Sequence, residues 1–229
     1  ITVLDGNINI LDKDELDEAL NNNDITLEDY ELDIDAHTAI AIGKNYNKSE
    51  ITIPATITRN NINYKVTAIT GFNNKTRLKK VVIEDGIVSI KAETFSGCTS
   101  LESIIIPNSV TTIESLAFEK CTSLEYISLP NNIKTIWGGT FHMCTSLKAI
   151  EIPNSVESLS SGLHVITFDP LNKKYFKKQY GVFSDCQSLE KVVFSNNMSV
   201  INNRTFENCS SLKAITIPEN ITKIEEYAF

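Results

Sequence analysis

The stretch Cys98–Val156, CTSLESIIIPNSVTTIESLAFEKCTSLEYISLPNNIKTIWGGTFHMCTSLKAIEIPNSV, states one pattern three times. Cys98, Cys121 and Cys144 each open the word Cys-Thr-Ser-Leu, and they stand 23 residues apart. Each leucine begins a strand-like word that closes on proline: LESIIIP, LEYISLP and LKAIEIP. A second word follows and runs to a phenylalanine, as in VTTIESLAF and IKTIWGGTF. Both words alternate apolar, often β-branched residues with polar ones, which is the signature of half-buried strands.

The pattern extends in both directions. Phenylalanines recur at Phe72, Phe95, Phe118 and Phe141, then at Phe183, Phe206 and Phe229, with 23-residue steps inside each group. Leucines keep phase at Leu78, Leu101, Leu124, Leu147, Leu189 and Leu212. A unit this short encloses no core by itself; stacked units do, because each buries its apolar edge on its neighbours. The expected fold is a solenoid: parallel strands about 4.8 Å apart, mostly β with few helices, its Leu, Ile, Val, Phe and Cys positions forming inward columns. The 42-residue gap from Phe141 to Phe183 contains LHVITFDP (Leu163–Pro170), which carries the same Leu-x-x-Ile-x-apolar pattern. It is therefore read as a shortened coil of 16 residues and a long one of 26, the latter ending in the loop PLNKKYFKKQYGVF. Phe229 falls three residues before the next cysteine is due, so the array is expected to continue or to have been cut there.

Three segments are expected. Residues 1–28 are acidic, with a short helix near 12–22 that Asp12 caps, Glu15 closes as a capping box and Leu11 staples to Leu16. Residues 29–71 form cap strands (YELDIDA, TAIAI, ITIP) and the first coil, and 72–229 carry the repeats, with an irregular longer coil at about 160–183. Residues 1–12 also match part of a calcium loop through Asp5, Gly6, Ile8, Asn9 and Asp12, but Ile1 and Val3 stand where oxygen ligands belong. A solvated hairpin before a capped helix is the better reading, and no metal is expected.

The recurrent words resemble the BspA-like class of leucine-rich repeat over roughly residues 50–229. DPLNKKYFKKQYGVF also resembles an irregular turn of that class through Asp169, Pro170, Asn172, Tyr175, Gly181 and Val182. The resemblance implies a leucine-rich repeat solenoid of about 23-residue coils belonging to a bacterial or protozoan surface protein. It further implies cell-surface or secreted placement, adhesion, and binding of an extracellular-matrix or host protein, or a glycan. The sequence departs from the class at Trp137-Gly138-Gly139, where Trp137 is expected to be exposed, and at Glu84 and Ser195, where the proline is missing.

Composition excludes several functions. The net charge of -8 belongs to residues 1–50, whose 13 acids and three lysines leave the rest near neutrality, so no basic field for nucleic acid exists. No apolar run reaches the roughly 18 residues of a membrane helix, and the first residues show no signal-peptide pattern. Cys98, Cys121, Cys144, Cys186 and Cys209 share one repeat position, odd in number and without close pairs, which fits buried thiols used as small apolar fillers. His142 occupies a variable turn where other coils carry Ser96, Glu119, Ser184 and Glu207, so a solvated side chain is expected. No nucleophile, zinc or phosphate-loop motif is present, no cofactor is implied, and no catalytic residue is assigned.

Function is therefore sought on the outward strand positions. One column reads Thr52, Val82, Ile105, Ser128, Glu151, Thr167, Val193 and Thr216; the column two residues before it includes Tyr126 near its middle and Val165. The mixture of apolar and small residues around an aromatic makes Ile105, Tyr126, Ser128, Glu151 and Val193 candidate partner contacts. A second candidate is KKYFKKQY, whose Lys173, Lys174, Phe176, Lys177 and Lys178 could grip an acidic or glycan-bearing partner; the favoured reading is a loop that packs Tyr175 and Tyr180 on the convex side and leaves its lysines solvated. Cross-coil pairs Lys79–Glu102, Glu125–Lys148 and Glu190–Lys213 are expected to support register. A macromolecule-binding module is the favoured function; a structural spacer in a larger surface protein or an intracellular interaction scaffold are the alternatives.

Overall fold

A computed structural model describes residues 29–44, 46–160, 163–169 and 173–229. The helix expected near 12–22 and the degenerate calcium loop at 1–12 lie outside these residues. Each coil uses its two strand words to build two parallel ladders. The first ladder runs through β3 (Glu50–Ile53), β6 (Lys80–Ile83) and β8 (Ser103–Ile105), and again through β11 (Ala149–Glu151) and β15 (Lys191–Val193). The second begins in the antiparallel pair β1 (Tyr30–Asp33) and β2 (Thr38–Ala41), then passes to β5 (Ile62–Ile69), which also pairs antiparallel with β4 (Thr56–Arg59). From β5 it continues to β7 (Ser89–Ile90) and β9 (Thr112–Ile113). β10 (Thr135–Ile136) then pairs with β12 (Ser158–Leu159), and β16 (Val200–Ile201) with β17 (Lys223–Ile224). No α-helix is present among the described residues.

The core lies between the ladders and a tight turn that carries the phenylalanines. From Phe95 onward the rings stack nearly parallel at centroid separations of 5.3–5.6 Å, through Phe118, Phe141, Phe183 and Phe206 to Phe229. Such spacing with near-zero tilt is the offset stack that ring quadrupoles favour. The turn backbone faces the next coil: the N–H of Phe95 donates to Ala117, that of Phe118 to Thr140 and that of Phe183 to Thr205, all at 2.8–2.9 Å. Apolar columns and a hydrogen-bonded turn thus fix each coil on the next, as a quasi-one-dimensional stack requires.

The 42-residue interval is not two coils. Phe141 stacks directly on Phe183 at 5.3 Å, the Phe141 N–H donates to Val182 (2.9 Å), and β11 pairs in register with β15. The interval is one coil interrupted by an antiparallel ribbon, β13 (Leu163–Asp169) with β14 (Lys174–Tyr180), paired from Leu163↔Tyr180 to Asp169↔Lys174. LHVITFDP imitates a coil word because a ribbon strand has the same period of two. His164, Val165 and Thr167 consequently leave the outward columns, and KKYFKKQY is mostly a strand rather than a loop.

The five cysteines are buried and free. Their role goes beyond filling: each thiol donates to the carbonyl of the phenylalanine one coil back, Cys98 to Phe72, Cys121 to Phe95, Cys144 to Phe118, Cys186 to Phe141 and Cys209 to Phe183, at 3.1–3.2 Å. Burial raises all five thiols, Cys98 to about 11 and Cys144 and Cys209 to about 12. Thiolate is the reactive form, so none of the five should react with a disulfide reagent at pH 8 in the folded chain, and all five should react in denaturant. Because the folded pKa values are raised, the unfolded chain loses these protons first as pH climbs, and stability should fall above the ordinary thiol range.

Candidate partner-binding face

The first ladder presents an open face. Pairing Val82↔Ile105 and Glu151↔Val193 places these side chains in one outward column. Ile105 is 57 % exposed, Tyr126 61 % and Val193 42 %, and Ser128 and Glu151 are exposed beside them. The five strand-face residues expected as contacts therefore do share one surface. Tyr126 is held rather than loose, because the Lys148 ammonium lies 5.8 Å from its ring centroid and is itself fixed by the Glu125 carboxylate at 2.6 Å. That carboxylate also raises the Lys148 pKa, so the cation beside the ring persists. Lys79 pairs with Glu102 at 3.2 Å as expected, whereas Glu190–Lys213 is absent from the ion pairs among the described residues.

The face is not a continuous sheet. Between β8 and β11 the coil LEYISLP forms no strand, and no backbone–backbone hydrogen bond joins Tyr126–Leu129 to either neighbour among the described residues. Beyond β15, Ala214–Ile217 behave the same way. Both interruptions coincide with cavities. One of about 500 Å³ opens beside the Tyr126 coil, lined by Pro107, Asn108, Ser128, Pro130, Asn131 and Glu151 among others. Another of about 370 Å³ lies between Lys191–Phe194 and Ala214–Thr216. Sequence reasoning missed this opening, since LEYISLP reads like its neighbours.

The model of the BspA type leucine-rich repeat region matches residues 68–177 and 178–229, with six copies. This chain belongs to the BspA-type leucine-rich repeat family. Among solved structures it is similar to a leucine-rich repeat protein of T. pallidum, at 24 % identity and a TM-score of 0.72, covering 87 % of this chain and 85 % of that one. It is also similar to a leucine-rich repeat protein of Bacteroides ovatus, at 25 % identity and a TM-score of 0.71, covering 90 % of this chain and 50 % of that one. The chain thus spans half the length of the latter. No curated protein sequence matches it.

The lysine-rich candidate stands apart from the strand face of this BspA-type solenoid. Lys174, Phe176, Lys177 and Lys178 lie on β14, and Lys173 is an exposed turn residue with φ 52°. The ribbon leaves the coil after β12, on the second-ladder side, and returns at Gly181. Its return anchors His142, which is buried and not solvated as the turn position implied. The imidazole packs on Tyr180 at 4.2 Å, and its Nδ1 meets Ser184 Oγ at 2.9 Å and the Asp185 carboxylate at 3.5 Å. The ribbon supplies the ring partner and the next coil the polar partners, so His142 fastens the insertion to the stack. Histidine, serine and aspartate here do not form a nucleophile relay: hydroxyl and carboxylate approach the same ring nitrogen, and a relay needs them on opposite ones. Trp137 is half-exposed, as expected.

Leucine-rich repeats of this type are typically non-enzymatic scaffolds that bind proteins. Among the described residues no group of three or more His, Cys, Asp or Glu is placed to hold a metal ion, and no helix is long and apolar enough to cross a membrane.

Proposed function

We infer that this chain is a non-enzymatic binding module of a cell-surface or secreted protein, and that it engages another macromolecule, such as a host or extracellular-matrix protein, through the first-ladder face. The observation that carries the reading is the outward set Ile105, Tyr126 and Val193, large apolar side chains held exposed on a rigid scaffold. Isolated exposed apolar residues need no explanation; an ordered stripe centred on a clamped tyrosine has the composition of a contact core. The lysine-rich ribbon is a separate, secondary candidate for acidic or glycan-bearing partners.

The test is a panel of immobilised matrix proteins and host-cell surfaces probed with the chain and its variants. Y126A and the pair I105S/V193S should each weaken capture at least about tenfold, the scale of hot-spot loss, while melting temperature stays unchanged. Replacing the four lysines of KKYFKKQY with serine should leave that interaction intact. Retained capture by Y126A and by I105S/V193S would refute the strand-face reading in favour of a spacer.

A further inference from the structure

The cavity beside Tyr126 has a chemistry of its own. Three of its lining residues, Pro107, Pro130 and Pro153, have no N–H to offer. Of the donors at its rim, the Asn131 N–H is already given to Asn108 Oδ1 at 2.9 Å, and the Asn132 amide to the Asn108 carbonyl at 2.7 Å. The charge at the cavity is one-signed. Neither the N–H groups nor the carbonyls of Tyr126–Leu129 make a backbone hydrogen bond, and Glu151 lines the space without an ion pair among the described residues. Lys148, the cation beside Tyr126, is committed to Glu125. Ile127 and Leu129, which line the opening, are 7–8 % exposed, whereas Leu124 of the same coil shows no exposure.

A site with an uncompensated carboxylate and open backbone carbonyls complements a positively charged donor. We propose that this cavity receives an arginine side chain of the bound partner, its guanidinium on Glu151 and the unpaired carbonyls of the Tyr126 coil, its alkyl stem against the rim. Arginine fits better than lysine because a planar fork of five N–H groups serves several fixed acceptors at once. The proposal rests on the strand face being the contact surface and names what the partner brings to it: a protruding arginine beside an apolar patch that covers Tyr126.

The test uses a capped Ala-Arg-Ala tripeptide and its citrulline twin, which has the same shape and no charge, titrated into the ¹⁵N-labelled chain. The arginine peptide should shift the amides of Ser128 and Glu151 and bind at least about fivefold tighter than the citrulline peptide at low salt, with the lysine analogue between them. E151Q should erase that preference, and E151D, which keeps the charge if E151Q misfolds, should retain part of it. Equal binding of the two peptides, or no shift at these amides up to about 10 mM, overturns the proposal, as does a dimer that occludes the cavity with a second copy. If Y126A still abolishes macromolecular capture while the peptides show no preference, the strand face stands and the arginine site falls. If Y126A and I105S/V193S are both silent as well, both readings fall.

Discussion

Replacing Phe141 with alanine should lower the unfolding free energy by about 3–5 kcal/mol, the cost of emptying a fully buried aromatic site. It should lower the melting temperature by roughly 10 °C for a chain of this size. Phe141 is wholly buried and has rings on both sides, Phe118 at 5.5 Å and Phe183 at 5.3 Å, tilted by only 7° and 2°. Its loss leaves a gap that neighbouring coils cannot close, because the turn backbone on either side is hydrogen-bonded across it: Phe118 N–H to Thr140 and Phe141 N–H to Val182, both at 2.9 Å. F141L separates the two contributions. It keeps most of the volume and loses the two ring pairs, so it should cost about 1–3 kcal/mol. Y126A is the control, since Tyr126 is exposed and lies outside the spine; it should cost about 1 kcal/mol or less. Equal losses for F141A and Y126A in urea titrations would mean that the aromatic spine does not hold the stack together.

That spine was legible in the sequence because its columns are chemically uniform. Seven phenylalanines and five cysteines each sit at one phase, and a stack of identical coils must align equal phases. The inserted ribbon was not legible, because half of it spells a coil word. What separates Leu163–Asp169 from a rung is its partner: it pairs antiparallel with Lys174–Tyr180 in an unbroken register, a fact about contact rather than composition. A local signal did exist. The interval from Phe141 to Phe183 exceeds the period by 19 residues, and the turn-favouring types Asp, Pro and Asn cluster near the middle of that surplus in the sequence. The burial of His142 follows from the same event, since Tyr180 arrives on the returning strand.

The turn itself left little trace. In most coils the positions two before and two after the phenylalanine are left-handed, yet they hold Glu93, Leu116, Gly139, Arg204 and Tyr227 in one column and Asn74, Gly97, Lys120, Met143, Asp185 and Asn208 in the other, so only one residue in each is glycine. Glycine is the usual sign of such a conformation. Here cross-coil bonds such as Lys120 N–H to the His142 carbonyl at 2.8 Å impose it on ordinary residues. The outward candidates were found because strand alternation alone puts Ile105, Tyr126, Ser128, Glu151 and Val193 on one side. The cavity escaped notice because it depends on a ladder that fails to close over LEYISLP, a word with the same pattern as its paired neighbours.

Gly181→Ala should be the most damaging single-methyl change in the repeats, costing more than about 3 kcal/mol. A β-carbon at this position would fall 1.6 Å from the Arg204 carbonyl oxygen, 2.2 Å from its carbon and 2.8 Å from the Thr205 nitrogen. All three are backbone atoms, so no side chain can swing aside. Relief requires the coils to part, and the contacts opposing that are dense: Phe183 N–H to Thr205 at 2.9 Å, the Cys209 thiol to the Phe183 carbonyl at 3.2 Å, and the stacked rings of Phe183 and Phe206 at 5.4 Å. Coils couple only to their neighbours, so the damage should stay near the break and fade with distance from it. Hydrogen exchange should show faster exchange at Phe183, Phe206 and Glu225, whose N–H groups bond across the coils beyond Gly181. Phe95 and Phe118 should keep nearly native protection. The preceding coil is the informative boundary: Gly139 N–H donates to the Gly181 carbonyl at 3.2 Å, so its protection should fall while that of Phe118 holds. A uniform loss across all coils would instead make the array one cooperative unit, and a cost below about 1 kcal/mol would show that the coils at Gly181 part more easily than their contacts imply.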